Sequence, residues 1–521
     1  MHGWLTKMDA SREFGEALMD HVKNNDVRKS PRLYGYLQNY VQDMLKNTDA
    51  IDKSVSRIKT FLFLQYLGGN IKTAAVNATQ NLTLGLPVLG REIGIGSAYA
   101  AYFKDAVRAV ADQASYRSGK GSHSKLLTAE ESAFLDDFYN SGQMRKVLFE
   151  ELMGAEDSTL NTGFKTLAKM MGLPMQMVER FNRSSLALAA YRAARNGKVT
   201  NKATLAKYGE HKGNKWDDQK ARKFAGEIVD EAHFVYGKGN RPQMLRHSNA
   251  GRMLNAAYTF RTFSHSLASW LWRNGVKGDE GAAGRIAVAH CLLATWALGG
   301  LTAVPLYNSV STVLRQAFGN DPDDLWEKTF GLKGDALDTV MYGLPSLSGV
   351  YIGGSLNLEL PAVTKLKSNK PWLEQVLDGM SENVFGVVHA SAKKVSNAGK
   401  FYASGQYGRM AEEILPTAFG NVLKATRQYT KGNYTAIGRP IGQGNTKVST
   451  GDAVAMAAGF QIASRAKDWH NKTRKEDLEQ RKQAKQSDLV TEFTLARRDM
   501  KGPSLLRRMN EIRKEVKKWN D

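Results

Sequence analysis

The 521-residue chain has a single cysteine, Cys291. One thiol excludes a disulfide or a cysteine-based zinc site within the chain, and Cys291 reads as a small buried hydrophobe. Prolines number only 12, which suits long helices. Catalytic signatures are missing: there is no HExxH, no GxxxxGKS/T and no GxSxG. The ten histidines are scattered, none three or four residues from another, so no metal and no cofactor is expected. No carboxylate pair stands out as an acid and base, and no catalytic residue is assigned. "RSGKGSHSK" (Arg117 to Lys125) has the glycines of a phosphate loop without the strand or the spacing, and reads as a basic linker. The first residues, Met1-His2-Gly3-Trp4, lack the charged region and apolar run of a signal peptide, which points to synthesis and folding in a reducing cytoplasm. The chain therefore reads as a non-enzyme, an enzyme with an unrecognised site being the alternative.

What is present in excess is positive charge. Lys and Arg total 73 against 51 Asp and Glu, a net charge of +22. This implies an anionic partner: nucleic acid, an acidic membrane surface or an acidic protein. The bland alternative is a soluble protein that is merely basic. Contacts of Lys and Arg with phosphates release counterions, so non-specific binding to DNA should weaken as salt rises.

With 42% apolar residues and wide Ala-, Leu-, Lys- and Arg-rich stretches, the chain is expected to be mainly α. The pattern suggests elongated multi-helix bundles with long amphipathic helices, a glycine-rich connector and a charged helical C-terminal tail. The divisions are an N-terminal helical region (1–125), a central bundle (126–285), an apolar and potentially membrane-competent region (286–365), a helical region (366–428), the connector (429–450) and the charged C-terminal helices (451–521). Within these, Pro174 predicts a helix start, and Arg192, Arg195 and Gly197 predict its end. Its middle, "SSLALAAYRAA", admits a close neighbour. A helix following Asn214 would align Trp216, Phe224, Ile228 and Val235, and "YGKGNRP" after it reads as a loop. Another helix is predicted from about Gly251 to Asn274. The tail is one long helical pattern from about Gly451 to Met500. A last helix from Pro503 then spaces Leu505, Met509, Ile512, Val516 and Trp519 by 4-3-4-3, a short seam that suits packing on this chain more than on a partner.

One stretch departs from this charged background. "IAVAHCLLATWALGGLTAVPLYNSVSTVL", Ile286 to Leu314, has no Asp, Glu, Lys or Arg. Ile286 to Tyr307 is long enough to cross a bilayer. Its eight Ile, Val and Leu residues favour insertion by roughly 2–5 kcal/mol together, while His290, Gly299, Gly300, Pro305 and the threonines oppose it, so the sum is near zero. It reads as a membrane span, a buried core helix, or a segment buried in one state and membrane-exposed in another; the last is preferred. Leu298→Arg and a dye on Cys291 suggest themselves as probes. A second uncharged stretch, Thr339 to Leu358, is too rich in Gly and Ser for a spanning helix and reads as a loop, a short strand pair or a re-entrant segment. Upstream, Asn70, Asn77 and Asn81 would share a helix face with Gln80 beside it. That polar face should meet another helix or backbone, or else be a solvated edge.

Four stretches in this order, "LGGNIKTAAVNATQNLTLGLPVLG", "EAHFVYGKGNRPQ", "MYGLPSLSGVYIGGSLNL" and "GRPIGQGNTKVSTGDAVAMAAGFQIAS", resemble the C-terminal region of very large virion proteins of tailed bacteriophages, the large polyvalent, PLxRFG-type proteins. The resemblance runs from about residue 30 to the end. Tyr351-Ile352 departs from it, since an acidic residue is expected after the Gly-Val. The family carries enzymatic modules N-terminal to this region and none fits here, so the chain would be a stand-alone helical subunit or work beside an enzyme on another polypeptide. The resemblance implies an internal virion, or ejection, protein: packaged in the capsid and delivered into the host envelope to help line a conduit for the genome. Its implied partners are other ejection proteins, the portal, phage DNA bound non-specifically, the host inner membrane and further copies of itself. The alternative is a soluble nucleic-acid-binding or scaffold protein of the virion that never enters a membrane.

Overall fold

A computed structural model describes residues 50–115, 123–140, 162–234, 249–258, 262–278, 280–305, 329–353, 390–434 and 447–520, with single residues 307, 311 and 326. Among them the chain is mainly α, a multi-helix protein as the patterning predicts. The only sheet among the described residues is one antiparallel pair, β1 (Val350–Tyr351) with β2 (Gln461–Ile462).

The main core is built on one long helix. Helix α1 spans Ala50–Tyr66. A helical run follows as α2 (Ile71–Ala78), a π-helical turn (Asn81–Gly85) and α3 (Leu86–Ile93). Next come α4 (Ile95–Ser115), α5 (Ala129–Asn140) and α6 (Thr162–Arg195). The small residues of "SSLALAAYRAA" lie on α6 and are buried almost throughout, because α4 and α8 (Asp218–His233) both pack on it. Phe134 of α5 stacks on Tyr191 of α6 with ring centroids 4.4 Å apart. Short α7 (Lys202–Tyr208) closes this end. The end of α6 is as predicted. Gly197 has φ 66°, and the N–H groups of Gly197 and Lys198 donate to the carbonyls of Ala194 and Ala193. Only glycine fits, since an added Cβ would lie 2.4 Å from the Gly213 carbonyl oxygen.

The start of α6 is not as predicted. Pro174 lies inside the helix, which begins twelve residues earlier at Thr162. An internal proline costs about 3 kcal/mol. Here Ala168, Met171 and Met175 pack on Phe63, Leu64 and Leu67, and that contact holds the helix together across the proline. Likewise α8 is capped by Asp217, whose side chain accepts from the Lys220 N–H at 2.7 Å. Asn214 lies ahead of it, and Trp216 precedes the helix, buried against Tyr208 and Phe224. Val235 and the loop 236–242 lie outside the described residues. The pattern from Gly251 to Asn274 resolves into α9 (Asn249–Tyr258), α10 (Thr262–Leu271) and a π-helical turn (Trp272–Lys277).

The apolar run does not form one continuous helix. Helix α11 (Gly281–Gly299) ends at Gly300, and a 3-10 turn, Leu301–Ala303, follows. The cause lies far along the chain. Gly300 has φ 73° and sits against the end of α12 (Asp335–Tyr342), so close that a Cβ would fall 2.2 Å from the Met341 carbonyl. Thr302 donates to that same carbonyl at 2.9 Å. The second uncharged stretch thus becomes the end of α12, a 3-10 turn (Leu344–Ser348) and β1, whose strand partner is β2 rather than its own neighbour. Residues 354–358 lie outside the described residues.

Three helices follow: α13 (390–403), α14 (Tyr407–Ile414) and α15 (Thr417–Thr430). Of the predicted connector, 435–446 lie outside the described residues. The tail pattern is broken where one helix was expected. Helix α16 (Thr450–Ala457), capped by Ser449, stops before Gly459, which has φ 92°. After β2, α17 (Ala463–Asp499) runs 37 residues. Helix α18 (Pro503–Asn520) folds back on it, with Ile512, Leu489 and Ala496 buried and Arg508 3.0 Å from Glu492. The predicted seam therefore packs on its own chain; the Trp519 side chain lies outside the described residues.

Candidate functional site

Among the described residues, α11 alone is long and apolar enough to cross a membrane by length and composition. At 1.5 Å per residue it is about 28 Å long, close to the ~30 Å hydrocarbon core of a bilayer. Its faces are inverted relative to a soluble core helix. Gly284, Ala287, His290, Cys291 and Thr295 are buried against the bundle. Ala282, Ile286, Ala289, Leu293 and Trp296, spaced 4-3-4-3, face outward. Ile286 is 54% exposed and Leu293 60%. Small and polar side chains thus point inward while the largest apolar ones meet solvent, opposite to the usual amphipathic arrangement.

Two neighbours extend this surface. Helix α4 carries Ala100, Phe103, Val107 and Val110 on one exposed face. Tyr99 joins α4 to α11: its hydroxyl is 2.9 Å from His290 Nε2, and its ring lies 5.4 Å from the imidazole and 6.1 Å from Phe103. The π-helical turn before α11 exposes Trp272 and Val276. It lies alongside, since a Cβ on Gly275 would be 3.5 Å from Val288. Exposed Lys104, Arg273 and Arg285 stand on the same three elements. An apolar surface flanked by cations suits the interface of an anionic membrane.

Behind it lies a buried polar core, which takes up Asn81 and Gln80 of the predicted polar face, whereas the Asn77 side-chain nitrogen is buried with no hydrogen-bond partner among the described residues. Asn81 Nδ2 donates to Tyr102 Oη (3.1 Å), the Asn182 carbonyl (2.9 Å) and Ser185 Oγ (3.3 Å), and His233 Nε2 is 2.8 Å from Asn81 Oδ1. Burial, with repulsion from Arg183, holds His233 well below the ordinary histidine range. The ring is neutral, with its proton on Nε2 towards Asn81. Gln80 Nε2 donates to the Ala232 carbonyl, and the Asn77 carbonyl accepts from Asn182 Nδ2. Asn70 instead caps α2. A second network joins Arg91 to Glu92 (2.8 Å) and Glu231 (2.7 Å), with Trp270 Nε1 donating to Glu231. Arg91, Glu92, Glu231 and Trp270 satisfy one another and hold α3, α8 and α10 in place behind α11. No group of three or more His, Cys, Asp or Glu side chains that could hold a metal occurs among the described residues.

Two residues singled out as probes take different places. Leu298 is half-buried, so Leu293 is the cleaner exposed position. Cys291 is 3% exposed, and burial pushes its thiol up to about 12. It is expected to resist a water-soluble maleimide in the folded protein and to react once urea unfolds it, as read by intact mass. An environment-sensitive dye therefore belongs on Leu293→Cys in a Cys291→Ala background. Comparison with protein-family models, curated proteins and solved structures yields no match to this chain.

Proposed function

We propose that this chain is an internal virion protein of a tailed bacteriophage, packaged in the capsid and delivered into the host envelope, where it helps form a conduit for the genome. Its role is structural and membrane-active rather than catalytic. The observation that carries this reading is the inverted α11, whose apolar stripe is exposed while the helix is anchored through small and polar residues. The net charge of +22 suits a neighbour of packaged DNA and an acidic inner-membrane surface. The same charge favours one other reading, a virion scaffold that binds DNA and stays out of membranes.

Mass spectrometry of purified virions and of envelopes from phage-treated hosts tests the proposal. The chain is expected in both, and the purified protein should float with anionic vesicles. Presence in virions with salt-sensitive DNA binding, but absence from envelopes and vesicles, would move the assignment to the scaffold. Absence from virions ends both readings.

A further inference from the structure

Apart from the apolar surface, a cavity of about 600 Å³ lies where α1 meets α13, α14 and α15. Four cations line it, Lys394, Arg409, Lys424 and Arg427, against two carboxylates, Glu412 and Glu413. Arg427 is committed to Glu412, at 2.6 and 2.9 Å. Arg409 donates to the Tyr434 carbonyl at 2.6 Å, its guanidinium 5.6 Å from the Phe401 ring centroid. The Lys394 ammonium stands 4.9 Å from the Tyr66 ring centroid and donates to Thr417 Oγ1 at 3.2 Å. Lys424 makes no hydrogen bond or ion pair among the described residues.

The cavity is thus a place where positive charge is gathered and only partly neutralised. Lys424 is exposed to solvent at the cavity; crowding by the surrounding protein holds it below the ordinary lysine range, with Arg427 and Arg465 adding repulsion that Glu412 and Glu413 oppose. Burial lowers Lys394 too, against Glu413, and it lowers Arg409, with repulsion from Arg427. An anion in the cavity would relieve all three. The volume falls in the range of small-ligand sites and is far too small for a duplex. Because cations already lie on the faces of Tyr66 and Phe401, the ligand's recognised part is its charge and not a stacked ring. Lysine ammoniums, a threonine hydroxyl and an unneutralised excess of positive charge match a phosphoryl group, with its several acceptor oxygens.

We propose that this cavity binds the phosphoryl group of a small phosphorylated ligand, with Lys424 and Lys394 as its principal contacts. The site is independent of the membrane reading. Isothermal titration of the full chain with inorganic phosphate, pyrophosphate and AMP, at matched ionic strength in chloride, tests it. Saturable one-site binding of at least one of the three is expected. Binding of phosphate alone or its displacement of AMP identifies a free phosphate site; binding of AMP without phosphate identifies a nucleotide site. Lys424→Gln should weaken binding about tenfold or more, as loss of a charge-assisted contact does. Lys198→Gln, exposed and outside the cavity, should leave it unchanged. Lys394→Gln is a second removal, and circular dichroism checks that each variant is folded. No saturable binding by the wild type, equal loss in Lys198→Gln, or wild-type affinity in both Lys424→Gln and Lys394→Gln would overturn the proposal.

Discussion

Replacing Asn81 by leucine should lower the stability of the bundle by about 3–5 kcal/mol. Leucine keeps the branched shape, but its methyls are bulkier than the amide, so the loss combines stranded polar groups with overpacking of a closed site. Asn81 is fully buried and serves Tyr102, the Asn182 carbonyl, Ser185 and His233 at once. Leucine strands several of these in a place water does not reach, at about 1–3 kcal/mol for each group left unpaired. Asn70, eleven residues earlier, makes a useful contrast. Its side chain accepts only from the Thr73 N–H at the start of α2, so Asn70→Ala should cost about 1 kcal/mol. Urea unfolding followed by circular dichroism compares them. Similar midpoints for the two variants would show that the Asn81 network does not hold the core.

Leu293→Arg should abolish vesicle binding while leaving the fold intact. Arginine at the centre of a spanning helix costs about 2.5–3.5 kcal/mol, and the lost leucine adds about half a kcal/mol more, which together exceed a hundredfold in partition. Because Leu293 is mostly exposed, the soluble form should change by less than about 0.5 kcal/mol. The variant therefore separates entry into a bilayer from packing in the core, which a half-buried position such as Leu298 could not. In phage, the expected phenotype is virions that assemble with the protein inside but deliver DNA poorly. Unchanged flotation with anionic vesicles would remove α11 as the membrane-entering element.

The parts of this fold that were legible in the sequence are those decided within a few residues. The end of α6 follows from Gly197 and the basic residues before it, and the α18 seam from its own spacing. The misreadings share one cause, a partner distant in the chain. Pro174 is carried inside α6 because α1 packs across it. The apolar run breaks at Gly300 because the Met341 carbonyl lies against it. The tail breaks at Gly459, whose added Cβ would meet Asn70 Oδ1 at 2.5 Å. The candidate site was legible as a segment and not as a surface. Composition marks residues 286–314 as unusual, but only the neighbours of α11 decide that Ile286, Leu293 and Trp296 face outward. The basic cavity left no sequence signal, since Tyr66 and the residues between 394 and 434 meet only in the folded chain.

The two-residue sheet has a topological consequence out of proportion to its size. Val350 faces Ile462 and Tyr351 faces Gln461, which in an antiparallel pair puts the two backbones about 5 Å apart. The chain between them, 352–460, leaves and returns at one point, so it has the connectivity of an inserted cassette. Closing so long an excursion costs little more than closing one half as long, because the entropy grows only with the logarithm of length. The cassette carries α13 to α16 and most of the cavity walls. It is joined to the bundle by its clasp and by contacts such as the Thr417 hydroxyl on the Gln65 carbonyl at 2.7 Å. A phosphate-binding unit of this kind could be gained, lost or exchanged between related chains without separating the ends it is spliced between.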